Sequence, residues 1–214
     1  MGLREPPNAP LTEEQILAAN IGTPVVLNST IELKPHDPEW PVRYARLASR
    51  IRAALAGKVL LLEHVGSTSV PGLSAKPVID MVLAVADSAD ESAYVPLLEQ
   101  LGYVLRIREP GWFEHRLLKT PEADVNLHVF SLGCEEIARL LAFRDWLRAN
   151  EEDRKLYERT KQELAARTWK YMQNYADAKS GVVNAILARA LKRSPDPARE
   201  EHFLQQQPQQ GPDP

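Results

Sequence analysis

Residues 64–85 read HVGSTSVPGLSAKPVIDMVLAV, and the apolar run Val59 to Leu62 leads into them. Gly66-Ser67-Thr68-Ser69 follows that run, then a turn containing Pro71 and Gly72, then Lys76-Pro77, then a second apolar run carrying one charge, Asp80. Apolar runs of this length bounded by Gly and Pro predict two buried strands. A lone carboxylate inside such a strand is costly unless it is paired, hydrogen-bonded or bound to a metal. Small residues after Gly66 let backbone N–H groups turn toward an anion. Pro77 holds Lys76 extended, where its ammonium can meet the same anion.

Outward from this stretch, the chain alternates strand and helix signals. Upstream, Asp37 as N-cap, Pro38 at the first position and Glu39 in the first turn predict a helix with Trp40, Tyr44, Leu47, Ile51 and Leu55 on one face, ended by Gly57. Downstream, Ser88 to Glu91 has capping-box spacing ahead of Tyr94, Leu97, Leu98 and Leu101. Tyr103 to Ile107 and Trp112 to Leu118, separated by Pro110-Gly111, predict an antiparallel pair that puts Glu114 and Arg116 on one face. From Asp124 to Phe130, Asp124, Asn126 and His128 alternate with Val125, Leu127 and Val129, so the strand has one apolar face and one row of polar groups. From Cys134 on the pattern is helical, with Tyr175 and Lys179 spaced to share a helix face. The four tryptophans, Trp40, Trp112, Trp146 and Trp169, read as packing.

Composition bounds the function. The 214 residues suit one domain. We expect a peripheral arm over 1–30, the domain over 31–192, and a disordered Pro- and Gln-rich tail over 193–214. A net charge of −3 with 26% charged residues gives no reason to expect nucleic acid or an anionic membrane as a partner. Cys134 is the only cysteine, which excludes an internal disulfide and a cysteine zinc site. No run approaches the ~20 apolar residues of a membrane helix, and MGLREPPNAP lacks a signal-peptide core, so a cytoplasmic protein is expected. Oligomeric state is left open.

With PHDPEW at 35–40, HVGSTSVPGLSAKPVIDM at 64–81, NLHVF at 126–130, FRDWLRAN at 143–150, and Tyr157, Lys161, Tyr175 and Lys179 in the late helices, the chain from about Ile31 to Leu191 resembles the GrpB family. Members of that family are similar to small nucleotidyltransferase-fold proteins and also occur fused to dephospho-CoA kinase. The resemblance implies an α/β (α+β) fold: a mixed sheet of about four or five strands, helices on one side and a helical C-terminal half. It further implies a nucleoside triphosphate or another small anionic ligand as partner. The nucleotidyltransferase signature is Gly-Ser, an Asp about a dozen residues on, and a second acid two positions later. Gly66, Ser67 and Asp80 match it; Val82 stands where the second acid belongs.

Two readings follow. In the first, the protein is a nucleotidyltransferase or related phosphoryl-group transferase. Gly66, Ser67 and Thr68 then hold phosphate with Lys76, Arg116, Tyr175 and Lys179, while Asp80 binds Mg²⁺ with a carboxylate borrowed from Asp124 or Glu114, and Asp80 and His128 are the catalytic pair. In the second, it is a non-catalytic module that binds a nucleotide or anionic metabolite and has lost the second metal carboxylate. A purely structural domain is a third reading, which leaves the polar row on Asp124, Asn126 and His128 without purpose.

Overall fold

The computed structural model describes residues 10–193, so the tail from 194 on lies outside the described residues. At its centre the Asp80 strand, β2 (Ile79–Val85), is flanked by β1 (Leu61–Val65), antiparallel to it, and β5 (Val125–Ser131), parallel to it. Strands β4 (His115–Lys119) and β3 (Val104–Glu109) continue the sheet in antiparallel fashion, giving the order β1-β2-β5-β4-β3. The mixed sheet expected with about four or five strands is therefore present, with five.

Strand parity separates two chemistries. Ile79, Met81, Leu83 and Val85 point to one face, where they meet Val125, Leu127 and Val129 of β5 and Leu118 of β4. Helix α2 (Glu39–Leu55) covers that face with Trp40, Ala48, Ile51 and Leu55, and the short α3 (Val95–Glu99) adds Val95 and Leu98. This is the main core. Asp80, Val82 and Ala84 point to the other face with Asn126, His128 and Phe130. There the C-terminal half closes over the sheet: Ile137, Leu140 and Leu141 of α4 (Glu135–Ala149) pack on Val65, Val82, Ala84 and Phe130.

The remaining helices are α5 (Glu151–Ala165), α6 (Met172–Ala178) and α7 (Ser180–Arg193). Asn150 caps α5 by accepting from the Asp153 amide at 2.9 Å. Val70 and Leu73 drive the loop after β1 into Leu147, Tyr157 and Ile186 of this bundle, which sets the loop against α5. Among the described residues no helix is long and apolar enough to cross a membrane.

Several local expectations are corrected. Pro38, not Asp37, stands at the N-cap of α2, while Asp37 one residue earlier accepts from the Glu39 amide at 2.9 Å, and the helix ends at Leu55 because Ala56 turns to φ +48° ahead of Gly57. Ser88 is not a helix cap; its amide and hydroxyl bond the Ser131 hydroxyl, and its carbonyl accepts from Tyr94 at 2.7 Å. The second strand of the hairpin starts at His115, because Phe113 and Glu114 take positive φ in the turn. Of the N-terminal arm expected to be peripheral, the described part, residues 10–30, is tied in. Its helix α1 (Glu13–Ala19) buries Ile16, the Ile21 amide donates to Arg106 O, and Ser29 bridges to Trp169.

Candidate functional site

Asp80 sits at the start of β2, where the strand emerges next to the loop that follows β1. Its Oδ1 accepts from Asn126 Nδ2 at 2.7 Å, the neighbour across the parallel ladder. Its other side abuts Gly66. A Cβ at position 66 would lie 2.9 Å from Asp80 Cβ, and the backbone there takes φ +69° and ψ −173°, a region open essentially to glycine. Glycine is thus required twice, for the turn and for the approach of the carboxylate.

Ser67 opens a 3-10 turn (Ser67–Ser69) whose Ser69 and Val70 amides bond back to Gly66 O and Ser67 O. Those two amides close the turn and are not presented to an anion. The cations near Asp80 are side chains instead. Lys76, Lys179 and Lys119 all lie within electrostatic reach of its carboxylate. Lys161 adds a fourth ammonium to the cluster: its Nζ donates to Ser67 Oγ at 3.1 Å and to the Ser74 carbonyl, and it feels the charge of Lys179. Glu158 fixes Ser74 in turn, accepting from its amide at 3.0 Å and from its hydroxyl.

Desolvation governs the charges here. Burial raises the Asp80 carboxyl, opposed by the Asn126 hydrogen bond and the three lysines. Burial also lowers Lys76 and Lys119, takes Lys161 down to about 7 with help from Lys179, and takes Lys179 down to about 8. Every one of these shifts reflects charge short of compensation. Tyr157 and Tyr175 complete the wall. The Tyr157 hydroxyl is within hydrogen-bonding range of Ser67, while Lys179 Nζ lies 4.3 Å from the Tyr175 ring centroid. The Tyr175 hydroxyl is buried without a hydrogen-bond partner, and burial pushes it up to about 12. Such a group calls for a partner that the described residues do not supply.

Of the residues expected at the site, the structure gathers Gly66, Ser67, Lys76, Asp80, Tyr175 and Lys179. It places others elsewhere. Thr68 is buried and its hydroxyl is used internally, donating to Val78 O at 3.1 Å and bonding His64 Nε2 at 3.0 Å. Arg116 projects to the opposite face of the sheet, where Glu91 and Glu114 bind it, because it pairs with Val129 in the ladder. Asp124 is held by Arg43 and Thr120, and Glu114 lies in the hairpin turn on Arg116, so neither joins Asp80. His128 shares the Asp80 face, but its Nδ1 bonds His115 Nε2 at 3.0 Å.

Mg²⁺ fits this donor set poorly. One oxygen of Asp80 is taken by Asn126, three ammonium groups already sit in its field, and Glu158, the carboxylate beside Lys161, is held on Ser74. No group of three or more His, Cys, Asp or Glu side chains suited to a metal exists among the described residues. Lys119, Tyr157 and Lys161 are the charged and phenolic site residues that the sequence does not assign. A signal for Lys161 existed: Tyr157, Lys161 and Leu164 run i, i+4, i+7 down the buried stripe of α5, with the lysine 2% exposed. Lys119 needs the ladder, which pairs it with Asn126.

This architecture, a mixed sheet with a Gly-Ser loop against an aspartate strand and a helical half closing over it, agrees with what comparison finds. The chain belongs to the GrpB family, residues 30–189 matching the family model described as GrpB protein. A UPF0157 protein of Halalkalibacterium halodurans is 55% identical over 183 residues, covering 86% of this chain and 94% of that one. A dephospho-CoA kinase of Mycobacterium bovis is 29% identical over 78% of this chain, which spans 48% of that protein. The crystal structure of conserved protein GrpB from Enterococcus faecalis superposes with a TM-score of 0.68 at 30% identity, covering 76% of this chain and 98% of that one.

Proposed function

We propose that the chain binds a small phosphate-bearing anion, a nucleoside triphosphate or a related anionic metabolite, between the Gly66 loop, the Asp80–Asn126 pair and helices α5 and α6. The observation that supports this reading best is the gathering of Lys76, Lys119 and Lys179 around the Asp80 carboxylate, with Lys161 in reach of Lys179, all four lowered by burial. A cluster with that excess of positive charge is strained when empty and relaxed when an anion enters. The partnerless Tyr175 hydroxyl offers a donor in the same wall.

The lack of a second acid beside Asp80 favours a binding module over a two-metal transferase: Val82 stands in its place and neither Asp124 nor Glu114 replaces it. Calorimetry against ATP, GTP, CTP and UTP, each with and without Mg²⁺, is the test. At least one is expected to bind with Kd below ~1 mM, without requiring the metal. Asp80→Asn is expected to tighten metal-free binding roughly three- to tenfold, the size of one partly screened like-charge contact removed. Loss of binding in that variant, or release of pyrophosphate in an acceptor screen, would instead favour the transferase.

A further inference from the structure

Beside the lysine cluster, on the same face of the sheet, runs a hydrogen-bonded chain that the anion reading leaves unused. Glu109 Oε2 meets His115 Nδ1 at 2.7 Å, and His115 Nε2 meets His128 Nδ1 at 3.0 Å. His115 is 3% exposed, stacked on His128 and Phe130 at 5.2 and 4.8 Å and edged by Trp112 at 5.1 Å. Its ring therefore has no freedom to turn.

With both rings neutral, one partner that can only accept orders the whole chain. The Glu109 carboxylate accepts, so His115 Nδ1 carries its hydrogen and His115 Nε2 is left as an acceptor. His128 Nδ1 must then donate, and the lone pair of His128 falls on Nε2. That nitrogen makes no hydrogen bond among the described residues, and His128 is half-buried, not sealed in the core.

We propose that His128 Nε2 is a specificity-determining acceptor, taking a hydrogen bond from a hydroxyl of the ligand whose phosphate lies among the lysines. This rests on the anion-binding reading and adds the ligand's other end. His128 follows Asn126 by two residues on the same face, about 7 Å along the strand. Lys119 acts on both His128 and Asp80, so the two ends share one space. The ligand class is a hydroxyl-bearing phosphate ester, either a free sugar phosphate or the ribose of a nucleotide. Burial takes His128 down to about 3, which keeps the ring neutral at working pH and makes it a weak base. It recognises a hydroxyl; it does not deprotonate one.

Two measurements on the full chain test this. Nitrogen-15 NMR of labelled histidine at pH 7.5 is expected to show His128 with hydrogen on Nδ1 and a bare Nε2, whose resonance moves on addition of ribose 5-phosphate or ATP but not of inorganic phosphate. Calorimetry of His128→Phe is expected to show ribose 5-phosphate weakened about two- to tenfold, the range of one hydrogen bond, with inorganic phosphate unchanged. Response to ATP alone assigns the hydroxyl to a nucleotide, and response to both assigns it to the sugar phosphate. A hydrogen on Nε2 in the free chain, or equal losses for phosphate and ribose 5-phosphate, overturns the proposal. If none of the three anions binds, the lysine-cluster reading fails and this ligand with it; an intact tautomer in that case locates the error in the anion site.

Discussion

Gly66→Ala isolates the residue on which the loop's geometry turns. The substitution forces an alanine into φ +69° and drives its Cβ into the Asp80 carboxylate. Backbone strain alone costs about 1–3 kcal/mol, and the carboxylate must also leave Asn126, so we expect a lower thermal midpoint together with weakened nucleotide binding. The four lysines make a different test. Lys161 and Lys179, near 7 and 8 when folded against an ordinary 10.5, hold fewer protons folded than unfolded between those values. Stability of the free chain should accordingly rise with pH from about 7 to 10, while anion affinity falls as the charges are lost. Binding of ATP at pH 8 should then take up about one proton, read as a dependence of the calorimetric enthalpy on buffer, and Lys161→Met should reduce that uptake. These residues differ in how far sequence reveals them. Gly66, Ser67 and Asp80 declare themselves by spacing, whereas Thr68, equally polar, is turned inward to His64 and the Val78 carbonyl, partners set by the tertiary structure.

Strands β1 and β5 each carry a histidine in a buried setting, one per face of the sheet. His64 stacks on Tyr44 of α2 at 4.7 Å and gives its Nε2 hydrogen to Thr68, whose own hydrogen goes to Val78 O. Burial, then the charges of Arg148 and Arg144, take it down to about 4. The folded chain thus binds fewer protons than the unfolded one between pH 4 and 6.5, and the stability present above 6.5 is lost as pH falls through that window. Urea midpoints between pH 7 and 4 should decline, with a shallower slope in His64→Phe, which keeps the stack and removes the titration. The alternation in β5 was legible from Asp124 to Phe130, but which polar group does what was not. The parallel register puts Asn126 beside Asp80 and His128 beside Val82, while Asp124 falls before the strand begins and is captured by Arg43. One pleat decides between a site residue and a surface ion pair.

At the scale of the molecule, the C-terminal helices act as a lid that must stay docked for the site to exist. Asp153 ties three of them. It accepts from Trp146 Nε1 of α4 at 2.6 Å and from Arg189 of α7 at 3.0 and 2.5 Å, and the Arg189 guanidinium holds its carboxyl below the usual range. Asp153→Ala leaves the indole N–H without its acceptor, at about 1–3 kcal/mol; Arg189 is 45% exposed and recovers water. Thermal denaturation of the variant should show a midpoint lower by several degrees, with ATP binding weakened in parallel because Lys161, Tyr175 and Lys179 ride on the same helices. Sequence alone determined the alternation of strands and helices, the Gly-Ser loop facing an aspartate strand, and the vacancy at Val82, since each of these is local and periodic. Only the tertiary structure decided which charges meet. Lys119 arrives from another strand, Lys161 from a helix 81 residues beyond Asp80, and Arg116 is sent to the far face. Spacing along a chain carries the direction of a side chain within its own element, but the company it keeps depends on how elements far apart in sequence are stacked.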